Sequence, residues 1–363
     1  MNLKSLLLGS TAIFVAASTA QAADAILVEP EPVEYVRVCD AYGSGFFFLP
    51  GTETCMKLSG YVRSTYKHNT TTNGGIKDPD HASWTYRGRL NIDVRNETDW
   101  GTLRSELRLQ GGSAPGGGDA NVGLDRALIS FAGFRVGYSF TYWETAHGSA
   151  VGSLAIEDGM YNSDQAIFFD YTYAVDGFAL TVGVQDSTGT VNDSENPDLY
   201  VGGKYTGDWG WVAATYIYDQ NGVDFSTGLA TGAGAWKAST RLENIGDSGW
   251  NFGAWYMSDG DDASSYVTGG YGATAALVDY QWGVVLDGAL SDDITGYVLY
   301  SAAEAIGSST TYIDTTHLAV GVVWAPIEGL GLQIEYYANE SDFVLAASDT
   351  DTDGVIVRAI RSW

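Results

Sequence analysis

Residues 84–97 alternate between two kinds of side chain. Every second position is apolar or small, and the positions between are polar or charged. The first set is Trp84, Tyr86, Gly88, Leu90, Ile92 and Val94, and the second is Thr85, Arg87, Arg89, Asn91, Asp93, Arg95 and Glu97. A period of two is that of a β-strand whose faces meet different environments. Strands of soluble β-sandwiches can show the same alternation. Recurrence of the pattern along the chain therefore has to distinguish a soluble sandwich from a barrel with lipid outside and water inside.

The same alternation recurs in sixteen segments of the chain. They are 56–66, 84–97, 102–110, 123–131, 134–141, 165–173, 178–185, 198–206, 210–218, 235–244, 249–258, 280–290, 294–302, 316–324, 330–338 and 354–363. Short links between segments alternate with long acidic or Ser/Thr/Gly-rich links, as they do in barrels with short turns at one rim and long loops at the other. Several tryptophans fall near predicted strand ends, where membrane barrels carry aromatic girdles. The sequence therefore predicts an all-β, transmembrane, antiparallel up-and-down β-barrel of 16 strands.

The N-terminus carries the features of a secretory signal peptide. Residues 1–22 contain the basic Lys4, a short apolar stretch and an A-x-A cleavage site. The apolar stretch is shorter than the ~20 residues of a spanning helix, and no later run approaches that length. We expect residues 1–22 to be removed on export, 23–55 to form a leader and a cysteine-bearing loop, and 56–363 to form the barrel. The expected location is the bacterial outer membrane.

Composition narrows the possible partners. The formal net charge of −27 argues against binding to nucleic acid. A chain with 45% hydrophobic and 13% aromatic residues has enough apolar surface to avoid disorder. Its two cysteines, Cys39 and Cys55, are expected to form a disulfide in an oxidising compartment, and two free buried thiols are the alternative.

Both ends of the chain resemble a known family. Residues 36–55 read VRVCDAYGSGFFFLPGTETC, residues 60–63 read GYVR, and the chain finishes with RAIRSW. These stretches resemble the signature of the alphaproteobacterial porin family, although Ala359 and Ile360 stand where that family has an aromatic and a polar residue. The resemblance implies a sixteen-stranded general-diffusion porin, assembled as a homotrimer, with its third external loop folded into the lumen. Solute preference does not carry over.

Arginines are concentrated in the first third of the predicted barrel. Six of them occupy polar positions of neighbouring strands: Arg63, Arg87, Arg89, Arg104, Arg108 and Arg126. Strand parity directs all six toward the lumen, and strands ~4.8 Å apart would join them into one basic wall. On the lipid face each would cost ~2–4 kcal/mol at the membrane midplane. The alternative is an ion-pair network with Asp93, Glu97 and Glu106 that only fills the lumen.

The third predicted external loop, 142–164, is acidic. It carries no lysine or arginine, and its carboxylates are Glu144, Glu157, Asp158 and Asp164. Folded inward, these carboxylates would face the basic wall across a narrow passage and create a field across the pore. Charged walls are a recurrent means of pore selectivity. Solvated charges on an external loop are the competing interpretation of the same carboxylates.

We therefore expect a water-filled channel for passive diffusion of small hydrophilic solutes and ions, with no catalytic residue, cofactor or metal. The expected partners are two further copies in a homotrimer, outer-membrane lipids and lipopolysaccharide, and the diffusing solutes. A substrate-specific channel, for example one selective for sugars, is the nearest alternative. More distant ones are a barrel enzyme using His147 and Ser149, and an adhesin with a plugged lumen.

Overall fold

The computed structural model describes residues 37–113, 122–147, 165–187, 197–220, 222, 232–260, 266–267, 278–305, 314–342 and 349–363. The predicted signal peptide and most of the predicted leader lie outside these residues. None of the helices in the described part is long and apolar enough to cross a membrane.

Strands make up most of the described chain. They are β1 Phe46–Phe48, β2 Cys55–Asn73, β3 Ile76–Lys77, β4 His81–Asn96, β5 Leu103–Ser113, β6 Val122–Phe131, β7 Phe134–Phe140, β8 Gln165–Val175, β9 Phe178–Ser187, β10 Asp198–Gly207, β11 Gly210–Asp219, β12 Ala233–Leu242, β13 Trp250–Ser258, β14 Val278–Ala289, β15 Ile294–Ala305, β16 Asp314–Ile327, β17 Leu330–Asp342 and β18 Thr350–Ser362. A one-turn helix, α1, spans Tyr142–Thr145, and 3₁₀ turns span Asp40–Tyr42 and Ile245–Asp247.

The long strands close into a ring. Within the described residues, sixteen of them pair antiparallel in sequence order, and β18 returns to pair with β2. That closing register runs from Thr350 opposite Asn73 to Ser362 opposite Tyr61. The short β1 adds to the start of β2, and β3 extends the first hairpin. The prediction of a sixteen-stranded antiparallel barrel is confirmed.

The two faces of the ring differ as the alternation requires. Large apolar side chains such as Val62, Phe169 and Val320 are exposed on the outer face. Their strand neighbours point inward, where side chains such as Thr215 and Glu335 are buried. An apolar exterior with a polar interior is the arrangement of a membrane-spanning barrel.

One rim of the barrel consists of tight turns. At the turn between β8 and β9, Asp176 and Gly177 both have positive φ, and Gly177 reaches +83°. A Cβ at Gly177 would lie 2.5 Å from the carbonyl oxygen of Thr206 on β10, so glycine is required there for space as well as for conformation. In membrane barrels of this design the short turns face the periplasm.

Candidate functional site

The predicted basic wall lies on neighbouring strands. Arg63 is on β2, and the others are on β4 (Arg87, Arg89), β5 (Arg104, Arg108) and β6 (Arg126). Arg63 stands directly opposite Arg87, and Arg108 directly opposite Arg126. Strand parity puts all six on the face opposite exposed residues such as Trp84 and Leu107, which is the inner face.

The part of the wall nearer the external loops is organised around an aromatic ring. The guanidinium carbons of Arg63 and Arg89 lie 5.6 and 5.0 Å from the ring centre of Tyr61. Arg89 also donates from Nε to Oε1 of Gln110 at 2.8 Å. Arg358 on β18, which was not among the arginines predicted from the sequence, extends this group and donates from Nε to Oγ1 of Thr65 at 3.0 Å. Guanidinium groups over an aromatic face are held by cation–π attraction while they keep their charge.

The part of the wall nearer the short turns is paired with carboxylates. Arg104 contacts Asp93 at 2.7 Å and Glu106 at 2.9 Å. Arg126 contacts the same Glu106 at 3.1 Å. Two of the three carboxylates considered from the sequence, Asp93 and Glu106, therefore pair with these arginines. Glu97, a proposed member, instead accepts hydrogen bonds from Tyr42 and Thr102.

A β-bulge adds a carboxylate that alternation could not reveal. The β5–β6 register slips after Arg108, so that Asp125 has no partner position of its own. Its carboxylate lies 3.3 Å from Nη1 of Arg108 and accepts a hydrogen bond from Gln165 at 3.1 Å. Bulges reorient side chains in this way, and two successive residues, Asp125 and Arg126, consequently serve the same wall.

The opening turn of the third external loop contacts the opposite wall. Tyr142 and Trp143 of α1 are buried, and Tyr142 stacks on Tyr200 of β10 with 5.8 Å between ring centres. Lys237 of β12 donates to the carbonyl oxygen of Trp143 at 3.1 Å. Glu144 interacts electrostatically with Lys237. The other predicted loop carboxylates, Glu157, Asp158 and Asp164, lie outside the described residues.

His147 fixes the end of this turn. Its Nδ1 lies 2.6 Å from Oγ of Ser239 and its Nε2 lies 2.9 Å from Oγ1 of Thr215. Burial, together with the charges of Lys237 and Lys204, lowers the pKa of His147 to about 2. The ring is therefore neutral at physiological pH and is held between two wall hydroxyls. Ser149, its partner in the enzyme alternative, lies outside the described residues.

Burial differs between the two sides of the interior. Inner-face side chains of β11–β16 are almost fully covered, as Ile217, Met257 and Leu299 show. Tyr266 and Val267, from the connection after β13, join α1 in covering that side. By contrast, the arginines of the wall that form ion pairs keep 15–33% of their side-chain surface exposed. The accessible interior surface therefore lies along the arginine side.

The disulfide segment, which we define as residues 38–55, lies against the inner face near the short turns. Cys39 and Cys55 form the predicted disulfide. Arg95 of β4 lies with its guanidinium carbon 4.9 Å from the ring centre of Phe46. Lys57 donates to the carbonyl oxygen of Ser44 at 3.0 Å. Cation–π and hydrogen-bond contacts thus attach the segment to the wall.

These features define a transmembrane β-barrel with a charged, partly accessible interior. The chain belongs to the porin subfamily, whose sequence model matches residues 24–353. It is accordingly a β-barrel protein of the outer membrane, and the family expected from the sequence is confirmed.

Individual relatives agree with this assignment. The chain is 39% identical to porin Omp2b of Brucella suis biovar 1 (strain 1330) over 246 residues. The aligned region covers 60% of this chain and 66% of that relative. The matched region thus spans just under two thirds of the relative's length. Omp2b of Brucella melitensis biotype 1 is 38% identical over the same length.

Solved structures show the same fold at low identity. The outer membrane channel DcaP of Acinetobacter baumannii has a TM-score of 0.68 at 13% identity, covering 87% of this chain and 99% of that chain. OprB of Pseudomonas putida has a TM-score of 0.62 at 11% identity, covering 84% and 94%. These similarities concern the architecture alone.

Proposed function

We propose that the protein forms a water-filled channel for passive diffusion of small hydrophilic solutes and ions across the outer membrane. The observation that carries this proposal is the one-sided interior. Charged side chains on β2–β6 are partly accessible, while the opposite wall is covered. Ions cross such a surface because arginine and carboxylate groups replace part of their hydration shell. Membership of the porin subfamily supports a channel and gives no support to an enzyme.

The narrowest part of the channel is proposed to lie between the basic wall and the third external loop. In this arrangement the loop folds into the barrel and brings Glu144, Glu157, Asp158 and Asp164 toward the arginines. Supporting contacts come from α1, whose Trp143 is 1% exposed beside inner-face residues of β12. Opposite charges on the two sides would orient dipolar solutes and disfavour apolar ones, because the latter gain nothing from displacing ordered water.

The assembly is proposed to be a homotrimer embedded among outer-membrane lipids and lipopolysaccharide. Residues 1–22 are proposed to be a signal peptide removed during export. Exposed aromatic residues such as Trp324 and Tyr336 on the outer face support contact with lipid. The family supports the trimer.

A planar-bilayer measurement tests the channel and its basic wall together. Wild-type protein should give stepwise conductance, and the double variant Arg87→Gln/Arg89→Gln should shift the reversal potential in a KCl gradient toward cations. Arg361→Gln is the matched control, because Arg361 bonds to Ser362 and to Glu328 at the short-turn rim, away from the wall. Absence of conductance steps refutes the channel, and equal reversal potentials for all three proteins refute the role of the wall. A sugar-selective channel would instead be blocked by one sugar.

A further inference from the structure

A cavity separates the disulfide segment from the barrel wall. Its volume is about 330 Å³, with Tyr42 and Phe46 on one side and inner-face residues of β2, β4, β5 and β6 on the other. Sites for small molecules begin at roughly this volume, ~300 Å³. The cavity is therefore large enough for a compact solute of a few heavy atoms.

Positive charge predominates around this cavity. Lys57 and four arginines line it: Arg95, Arg104, Arg108 and Arg126. Two of the described lining residues are acidic, Asp93 and Glu106, and Asp125 adds one further carboxylate beside Arg108. Among the described residues, five cations therefore meet three carboxylates, which leaves an excess of two positive charges.

The register makes this excess difficult to relieve within the described part of the protein. Arg95 stands directly opposite Arg104, and Arg108 directly opposite Arg126. Like charges in directly opposite positions of an antiparallel pair are destabilising. Asp93 is shared by Arg95 and Arg104, and Glu106 is shared by Arg104 and Arg126. Asp93 and Glu106 thus each already serve two arginines, and Asp125 serves Arg108.

One buried donor of the lining has no hydrogen-bond partner in the part of the chain that the structure describes. Nε of Arg126 is buried and makes no hydrogen bond to any described residue, although Nη1 of the same group contacts Glu106. A buried N–H of a charged group is costly to leave unpaired. Guanidinium forks match the oxygens of phosphate in a bidentate manner.

We propose that this cavity is a binding site for a small multivalent oxyanion, namely inorganic phosphate or a small phosphomonoester. A doubly charged phosphate matches the excess of two cations, and its several acceptor oxygens can serve Arg126 together with Arg108. The disulfide segment closes one side of the site and makes it a compact pocket on the short-turn side of the basic wall. Of the six arginines of the basic wall, Arg104, Arg108 and Arg126 line this site, and the three nearer the external loops do not.

Titration calorimetry on the detergent-solubilised protein, with inorganic phosphate as the probe, tests the site without relying on conduction. Arg126→Gln should weaken binding at least tenfold, since a charge and its donors are lost together. Arg126→Lys should lie between wild type and Arg126→Gln, because it keeps the charge and loses the fork. Lys204→Gln is the matched control: Lys204 is an inner-face cation on β10, 4.3 Å from the ring of Trp211 and outside the cavity. It should change binding less than twofold.

Three outcomes overturn the proposal. The first is that wild-type protein releases no heat with phosphate. The second is that Arg126→Gln binds phosphate as wild type does. The third is that Lys204→Gln weakens binding as strongly as Arg126→Gln. The last outcome would indicate diffuse attraction to the lumen. The β-sheet signal in far-ultraviolet circular dichroism should match wild type in each variant and establishes that all are folded. Because calorimetry needs no ion flow, a failed conductance experiment and a failed phosphate site remain distinguishable.

Discussion

Acidification should weaken the docking of α1 through His147. The ring is buried between Ser239 and Thr215, and its docked pKa is about 2 against an ordinary value of 6.5. Docking therefore favours the neutral ring. Below pH 6.5 the imidazole of His147 is protonated in the undocked state and stays neutral in the docked state. The docked state therefore becomes less stable, relative to the undocked state, as pH falls. The loss is about 1.4 kcal/mol, or tenfold, for each pH unit between 6.5 and 2. At pH 5.5 the docking equilibrium should be about tenfold less favourable than at neutral pH.

The charges around His147 do not reverse this expectation. Lys237 and Lys204 are cationic neighbours that oppose its protonation. Glu144, the nearby carboxylate on α1, interacts with Lys237. Few exposed carboxylates titrate between pH 7.5 and 5.5, because their ordinary pKa values are near 4. A change within that range consequently reports mainly on histidine.

Hydrogen exchange in detergent, read by mass spectrometry, measures the effect. The amides of Thr145 and Ala146 bond to carbonyl oxygens of Thr141 and Tyr142, so they exchange when the turn opens. Between pH 7.5 and 5.5 their protection should fall about tenfold more in wild type than in His147→Gln, whose side chain does not titrate. Comparison at equal pH cancels the intrinsic exchange rate, and amides of β17 provide the internal reference. An identical pH dependence in the two proteins would refute the reasoning.

Three further substitutions test the energetics of the barrel, each by urea unfolding in lipid vesicles followed by tryptophan fluorescence. Val320→Arg places a charge on the outer face in the middle of β16 and should lower the free energy of unfolding by ~2–4 kcal/mol. An unchanged unfolding midpoint would contradict the assignment of that face to lipid. The guanidinium of Arg241 lies 2.9 Å from the buried carboxylate of Asp287, so Arg241→Gln leaves that carboxylate without its ion pair and should lower the free energy of unfolding by ~3–5 kcal/mol. Adding Asp287→Asn should restore most of this stability. No restoration would show that the loss of the ion pair is not the cause. Gly177→Ala should lower the free energy of unfolding by ~1–3 kcal/mol, because the new Cβ would clash in a strained turn. Gly88→Ala, where a Cβ meets nothing within 4 Å, should change it by no more than ~0.5 kcal/mol. Equal effects would contradict the requirement for glycine at position 177.

The strands were predictable because each one separates two solvents. The segment predicted at 84–97 is β4, His81–Asn96, and the other segments match within a few residues at most ends. The largest difference is β2, predicted at 56–66 and observed to Asn73. Its last third, including Thr70 and Thr72, is polar on both faces, so the alternation that marks membrane contact is absent although pairing with β18 continues.

The interior was predictable only in part. Parity identified the inner position of the arginines, because it depends on sequence spacing alone. Asp125 was missed because a bulge breaks that spacing. The contacts of His147 with Ser239 and of Lys237 with Trp143 were not predicted, because they join the third loop to strands that are distant in sequence. The contact of Arg95 with Phe46 depends likewise on where the disulfide segment packs.

The pairing of β18 with β2 affects how the protein can be assembled. Until β18 is in place, the sheet has two open edges, and each carries a row of unpaired backbone groups. Hydrocarbon offers those groups no partner, at a cost of several kcal/mol each. Stepwise entry into the bilayer, one hairpin at a time, is therefore energetically disfavoured. Insertion into the bilayer therefore has to occur almost together with closure of the barrel, in which backbone hydrogen bonds join Gly60 to Trp363.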